Sequence, residues 1–264
     1  MSETSQALPS ILLERVGAHI AVVTLNREQA GNAVSPALAA ELDQAVKSTE
    51  SDPEVWVTVL AAAGSKVFCA GADLKEVAAG HAEKLMTRDG GFAGFVEAKR
   101  SKPWIAAIDG LALAGGLEIA LACDLRVAAE TAKFGLPEVK RGLIALAGGL
   151  YRLPRIIAPT LALEMMLSGN SIDAPRAYEL GLLNRLTEAG GAKAGALQLA
   201  ATICANAPLA VRESLAIARD ALTATDQELS KRGVAAWQRL QASADFKEGP
   251  RAFIEKRAPN WQGR

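Results

Sequence analysis

The residues best suited to chemistry in this chain are two glutamates twenty positions apart, Glu118 and Glu138. Each follows a glycine-bearing segment: Leu113-Ala114-Gly115-Gly116-Leu117-Glu118 in one case, Phe134-Gly135-Leu136-Pro137-Glu138 in the other. Glycine lets a backbone amide approach a ligand with no Cβ in the way, and a glycine pair opening a helix leaves unpaired N–H groups pointing outward. A third segment, Phe68-Cys69-Ala70-Gly71-Ala72-Asp73-Leu74, adds a glycine turn after the apolar run Val55 to Ala63. Two carboxylates sharing a pocket with two such donors would perform acid/base chemistry on an activated carbonyl compound. Glu118 lies among Leu117, Ile119, Ala120 and Leu121, so burial should raise its pKa; the alternative is a buried structural ion pair. Glu138, on a turn after Pro137, is by itself an ordinary surface carboxylate.

The elements that must hold these groups follow from periodicity. Ile11 to Val16 and Ile20 to Leu25, around Gly17-Ala18-His19, read as an apolar hairpin. Ser35 and Pro36 open a helix, with Leu38, Leu42, Ala45 and Val46 at helical spacing to about Thr49. Val55 to Leu60 reads as a strand, as do Trp104 to Ile108 and Leu125 to Ala129, with a short helix from Gly115 to Ala122 between the last two. This alternation predicts an α/β core with mostly parallel strands. From Pro159 onward helices dominate, over 161–167, 174–180, 191–206, 209–222, 228–242 and 249–257, interrupted by a strand at Leu182 to Leu186. The expected division is an α/β core over residues 1–200 and a helical C-terminal region over 201–264.

Composition excludes several classes. Lys+Arg and Asp+Glu both total 29 in 264 residues, so the net field gives no reason to expect nucleic acid or an anionic membrane as partner. Cys69, Cys123 and Cys204 are odd in number and lack Cys-x-x-Cys spacing, against a disulfide framework or a zinc site and for a reducing, cytoplasmic location. Met1 to Gln6 carries an acid, no base and no apolar stretch, which predicts no targeting segment. The apolar run Trp104 to Cys123 contains Asp109 and Glu118, each costing roughly 2.5–3.5 kcal/mol at a bilayer centre, and so reads as protein core. His19 and His81 lie outside every motif, and no Gly-x-Ser-x-Gly, Gly-x-Gly-x-x-Gly or Gly-x-x-x-x-Gly-Lys-Ser/Thr occurs, which disfavours a serine triad, a dinucleotide fold and a P-loop.

In motifs, order and spacing, these segments resemble the crotonase (enoyl-CoA hydratase/isomerase) superfamily. The resemblance runs from Val22-Val23-Thr24-Leu25-Asn26-Arg27, through Gly142-Leu143-Ile144, to Phe253-Ile254-Glu255-Lys256-Arg257. The first ten residues and the stretch 80–94 look unconstrained by it. It implies a core built as a spiral of repeated β-β-α units, with the helical end used for assembly into a homotrimer or hexamer. It further implies an enoyl-CoA hydratase, adding water across the 2,3 double bond of the thioester or removing it. Glu118 would be the base on the water and Glu138 the acid at Cα, while the Ala72 and Gly115 amides hold the thioester oxygen, with Gly71 and Gly116 as steric partners. Acyl-CoA contacts would come from Ala30, Ala70, Asp73, Leu74, Lys75, Leu146, Trp237 and Lys256, the last two reaching coenzyme A on an adjacent protomer. Asp73 also reads as a helix cap or turn former. No metal or redox cofactor is implied; coenzyme A arrives with the substrate. One departure stands out: Ala145-Leu146 replaces the Pro-Gly that many hydratases carry, which leaves the acyl group open. Isomerase, lyase and decarboxylase chemistry remain alternatives, as does a non-catalytic acyl-CoA- or RNA-binding relative.

Overall fold

The computed structural model describes residues 8–264, so the reading of Met1 to Gln6 falls outside the described residues. β1 (Ile11–Val16) and β2 (Ile20–Leu25) form the expected antiparallel hairpin, with Ile11 opposite Leu25 and Val16 opposite Ile20. α1 (Pro36–Ser51) starts where Ser35 Oγ accepts the Leu38 amide at 3.2 Å. Pro36 takes the first helical position, where a missing N–H costs nothing. At the other end, buried Lys102 donates through Nζ to the Thr49 and Asp52 carbonyls, both at 2.6 Å. β3 spans Val57–Ala62, two residues later than expected. The Asp52 turn captures the Val55 amide, and the amides of Trp56 and Val57 both turn to the His19 carbonyl before pairing begins.

The chain continues through β4 (Val67–Cys69), α2 (Leu74–Ala78), β5 (Met86–Thr87), β6 (Gly91–Phe92), β7 (Trp104–Ile108), β8 (Leu111–Leu113), α3 (Gly115–Ala122), β9 (Leu125–Ala129) and β10 (Lys133–Gly135). After these come α4 (Gly149–Ile156), α5 (Pro159–Ser168), β11 (Ile172–Asp173), α6 (Ala174–Glu179), β12 (Arg185–Thr187), α7 (Ala192–Cys204), α8 (Pro208–Arg219), α9 (Asp226–Gln241) and α10 (Ala244–Ile254). One sheet has the order β1-β2-β3-β7-β9-β12 and a second the order β11-β10-β8-β4. Successive strands alternate between them: β3 then β4, β7 then β8, β9 then β10, each pair followed by helix. This is the spiral of β-β-α units. Pairing is parallel throughout both sheets except at β1–β2 and β10–β11.

Two apolar clusters line the large sheet. Leu25, Leu60, Phe68, Trp104, Leu117 and Phe134 belong to one; Val22, Val57, Val59, Ile105 and Val127 join Ala192, Ala196 and Ala200 of α7 in the other. Strands buried on both faces read as continuous apolar runs, which is why β2, β3 and β7 showed no alternation. The division drawn at residue 200 falls inside α7, whose alanine face is packed on the sheet. Beyond it, α8 is tied back by Arg219, whose guanidinium donates twice to Asp124, at 2.7 and 2.8 Å.

Residues 80–94, which the resemblance leaves unconstrained, are packed in the structure: Leu85 and Ala93 are buried, and a Cβ on Gly94 would stand 2.7 Å from the Asp43 Cβ. Two further expectations need correction. α10 begins at Ala244 rather than Gly249, because Ser243 Oγ accepts the Phe246 amide at 3.1 Å and Gly249-Pro250 ride inside the helix. The strand expected at Leu182 to Leu186 is confined to β12, since Leu182 and Leu183 are buried beneath the turn that precedes it. Among the described residues no single helix is long and apolar enough to cross a membrane.

Candidate active site

The small sheet brings the candidate groups to one edge. Its parallel register places Cys69 beside Ala112 and Leu113 beside Gly135. Ala72 lies three residues past Cys69, Gly115 three past Ala112, and Glu138 three past Gly135. Adjacent strands are ~4.8 Å apart, so these positions line up along the carboxyl edge, where parallel α/β sheets hold their ligands.

Two backbone amides at this edge, those of Ala72 and Gly115, have no partner among the described residues. Val34 and Ala72 form an isolated parallel bridge in which the Val34 amide donates to the Gly71 carbonyl at 2.8 Å and the Asp73 amide to the Val34 carbonyl at 2.9 Å. The Ala72 N–H takes no part in that bridge. Gly115 is the first residue of α3, so its N–H has no carbonyl within the helix to reach. Its neighbour Ala114 caps the helix at φ 52°, and its amide anchors to the Gly135 carbonyl at 2.9 Å. Gly71, at φ +94°, crosses so close to α3 that a Cβ there would stand 2.9 Å from the Gly115 nitrogen. A Cβ on Gly116 would overlap the Cys69 carbonyl oxygen and lie 2.6 Å from its carbon. These two glycines therefore set how closely α3 approaches the end of β4.

Glu118 points from the first turn of α3 and is 3% exposed. Its Oε1 accepts the Gly149 amide, the first N–H of α4, at 2.8 Å. Burial pushes its pKa up to about 7; the Gly149 amide pulls it down, Glu138 pushes it up, and the Ala147 amide and Arg152 draw it down further. Glu138 sits on the 3-10 turn Pro137–Arg141. Burial raises its pKa as well, against its own amide and Arg141. Among the described residues its Oε2 is buried with no hydrogen-bond partner. Glu118 feels the charge of Glu138, and both carboxyls are shifted upward, the direction in which a carboxyl can both take and give a proton near neutral pH.

The profile described as Enoyl-CoA hydratase/isomerase matches residues 15–264. The chain belongs to the enoyl-CoA hydratase/isomerase family. Among its relatives, the enoyl-CoA hydratase EchA19 of Mycobacterium tuberculosis is 40% identical over 267 residues, covering 99% of each chain. The carnitinyl-CoA dehydratase of Proteus mirabilis is 38% identical over 247 residues, 92% of this chain and 94% of its own. A crystal structure of an enoyl-CoA hydratase from M. tuberculosis superposes with a TM-score of 0.93 at 42% identity, over 97% of this chain and 100% of that one.

The remaining site positions fall into two groups. Ala30 and Ala70 are exposed on neighbouring loops, joined by the Ala70 amide donating to the Gly31 carbonyl at 3.0 Å. Asp73 caps α2 by accepting the Lys75 amide at 3.2 Å and pairs with Arg27, also at 3.2 Å; Leu74 and Lys75 are exposed on the first turn. Leu146 is 76% exposed, and its amide donates to the Ile144 carbonyl at 2.9 Å in a tight turn. Trp237, edge-on to Phe246, and Lys256, just past α10, stand apart on the C-terminal helices. Sequence reasoning missed Gly149, the closest partner of Glu118, although Gly148-Gly149 opens a helix as Gly115-Gly116 does. It also missed Phe92, whose ring would lie 2.6 Å from a Cβ on Gly115.

Proposed function

We propose that the protein is an enoyl-CoA hydratase. The observation that carries this reading is the pairing of two upward-shifted carboxylates, Glu118 and Glu138, with two backbone amides that have no partner among the described residues, at one sheet edge. Glu118 accepts a proton from a water, whose oxygen adds to Cβ of the 2-enoyl thioester. Glu138 gives its proton to Cα. The negative charge that collects on the thioester oxygen in between is met by the Ala72 and Gly115 amides. Each such donor in a water-poor site is worth roughly 2.7–4 kcal/mol, as much as either carboxylate contributes through proton transfer. After one turnover the proton has moved from Glu138 to Glu118, and exchange through the next water restores the pair. The same steps run backward dehydrate a 3-hydroxyacyl thioester, and relatives named for each direction support both. No metal or redox group is needed for these steps.

The C-terminal helices support assembly into a trimer or hexamer. Val234, Trp237, Phe253 and Ile254 are all exposed on α9 and α10, Phe253 to 85%, more apolar surface than a single subunit keeps in water. Trp237 and Lys256 then serve coenzyme A bound to a neighbouring subunit, an aromatic face and a cation for its adenine and phosphates. A cytoplasmic location fits the reduced cysteines.

Turnover of enoyl-CoA thioesters of varied length, branching and aromaticity, followed by product analysis, tests the reading. Hydration should fall ~10²-fold or more in both Glu118→Gln and Glu138→Gln, with acyl-CoA affinity largely kept. Near wild-type hydration by both variants, or double-bond migration as the sole wild-type reaction, would reject it.

A further inference from the structure

Arg152 lies on the first turn of α4 and has no part in the steps above. Its guanidinium spans two segments far apart in sequence: one nitrogen, Nη1, donates to the Ala147 carbonyl at 2.9 Å, and the other, Nη2, to the Val96 carbonyl at 2.6 Å. The Ala147 carbonyl belongs to the peptide that leads into Gly148. There a φ of +115° turns the next amide, that of Gly149, toward Glu118 Oε1 at 2.8 Å. A side chain at Gly148 is excluded twice, by that backbone conformation and because its Cβ would stand 2.8 Å from the Arg152 Cζ. Gly149 has no room either: a Cβ there would meet the Ala145 Cβ at 2.9 Å and Glu118 Oε1 at 3.2 Å. Guanidinium, carbonyl and amide thus form one train of contacts that ends on the carboxylate.

We propose that Arg152 is a positioning residue: by clamping the Ala147 carbonyl to the Val96 segment, it holds the Gly149 amide against Glu118 and keeps that carboxylate able to accept a proton. Its consequence for turnover rests on Glu118 acting as the base; the clamp itself does not. Two charged groups face Glu118, Arg152 from α4 and Glu138 from the 137–141 turn. Of the other elements packed on α3, β4 brings Cys69, whose thiol burial pushes up to about 12 and so leaves neutral, and β8 (Leu111–Leu113) brings nothing titratable. Burial drives Glu118 toward its protonated form, and the Gly149 amide and the Arg152 charge oppose it. Losing Arg152 removes one opposing influence and loosens the other, so Glu118 should hold its proton to higher pH.

The test separates clamp from reaction. Difference infrared titration of the free protein, with Glu118→Gln as the subtraction, reads the Glu118 carboxyl without any substrate. In Arg152→Met its midpoint should rise by at least ~0.5 pH unit, from the lost cation and hydrogen bond. The acid limb of kcat/KM should follow by the same amount, and kcat at pH 7 should fall ~10-fold, as expected for a misplaced catalytic group, while KM stays within about twofold. Arg152→Lys keeps the charge but reaches one carbonyl, so it should move the midpoint less while still lowering kcat several-fold. A folded Arg152→Met with an unmoved midpoint overturns the proposal. So does a loss of activity that tracks loss of folded protein at a fixed acid limb. Should Arg152→Met not fold, Arg152→Lys decides, since wild-type kcat and midpoint in that variant also overturn it. A shifted midpoint in a protein that hydrates no enoyl-CoA upholds the clamp and rejects the base assignment alone.

Discussion

Gly116→Ala is the substitution whose effect the structure specifies most closely. The new Cβ would overlap the Cys69 carbonyl oxygen and lie 2.6 Å from the carbonyl carbon, a backbone group that cannot rotate away. Ordinary van der Waals separation begins at 3.4 Å, so α3 and the end of β4 must part by about 1 Å. Those two elements carry the Gly115 amide, adjacent to Gly116 on one side, and the Ala72 amide, three residues beyond Cys69 on the other. A displacement of about 1 Å in a positioning element costs ~10²-fold in rate, and full loss of one donor costs roughly 2.7–4 kcal/mol. Overpacking by one methyl lowers stability by ~1–3 kcal/mol. Gly116→Ala should therefore remain folded with a lower Tm and lose ~10²-fold in kcat, with a smaller change in KM. Steady-state kinetics on an enoyl-CoA and a thermal melt measure both. Gly233→Ala serves as the control, because a Cβ there meets nothing within 4 Å and helical Gly→Ala adds ~0.5–1 kcal/mol of stability. Wild-type kcat in Gly116→Ala would refute the reasoning, since the two amides would then tolerate separation.

Glu118 should also limit stability: with its pKa at about 7 in the fold and 4.5 outside it, the stability contributed by the protonated form is full below pH 4.5 and lost as pH rises through about 7. Glu118→Gln should accordingly raise Tm over wild type more at pH 8 than at pH 5, by differential scanning calorimetry; an equal gain at both values contradicts the shift. Leu146→Gly should reorder the ranking of acyl groups in a turnover screen on the scale of one pocket methylene, ~1–3 kcal/mol, and an unchanged ranking would place Leu146 away from the substrate. Lys256→Ala should raise KM for acyl-CoA and leave a thioester truncated at pantetheine unaffected, and light scattering should find a trimer or hexamer. A stable, fully active monomer would remove the assembly.

Elements whose stability is local were legible in the sequence. The β1–β2 hairpin, β7 and β9 carry largely apolar runs, α3 is opened by glycine, and α1 carries its own cap. The small sheet was not. β4, β8 and β10 are three residues each, so no period can show in them; their neighbours across the sheet stabilise them. Both glutamates and the glycines around them were visible because carboxylates amid apolar residues and paired glycines are unusual residue types in sequence. Gly149 and Arg152 act through contacts thirty-one and fifty-six positions away, to Glu118 and Val96, and nothing local marks such reach.

The alternation of strands between the two sheets also bears on how this chemistry could be altered. Ala72 hangs from one coil of the spiral, Gly115 and Glu118 from the next, and Glu138 from the third. Each coil carries its group on the segment that follows its strand in the small sheet, a loop, a helix and a 3-10 turn in that order, while the sheet beneath keeps the three in step. Exchanging the turn after β10 would replace Glu138 and leave the Ala72 and Gly115 amides where they stand. A deletion inside β8 would do the opposite: one residue is ~3.3 Å of travel along a strand, and it would slide the α3 amide and Glu118 together out of alignment with their neighbours. The segments after the strands are interchangeable parts and the three-residue strands are the gauge that spaces them, so a designer seeking a new reaction on this scaffold would rewrite the former and leave the latter untouched.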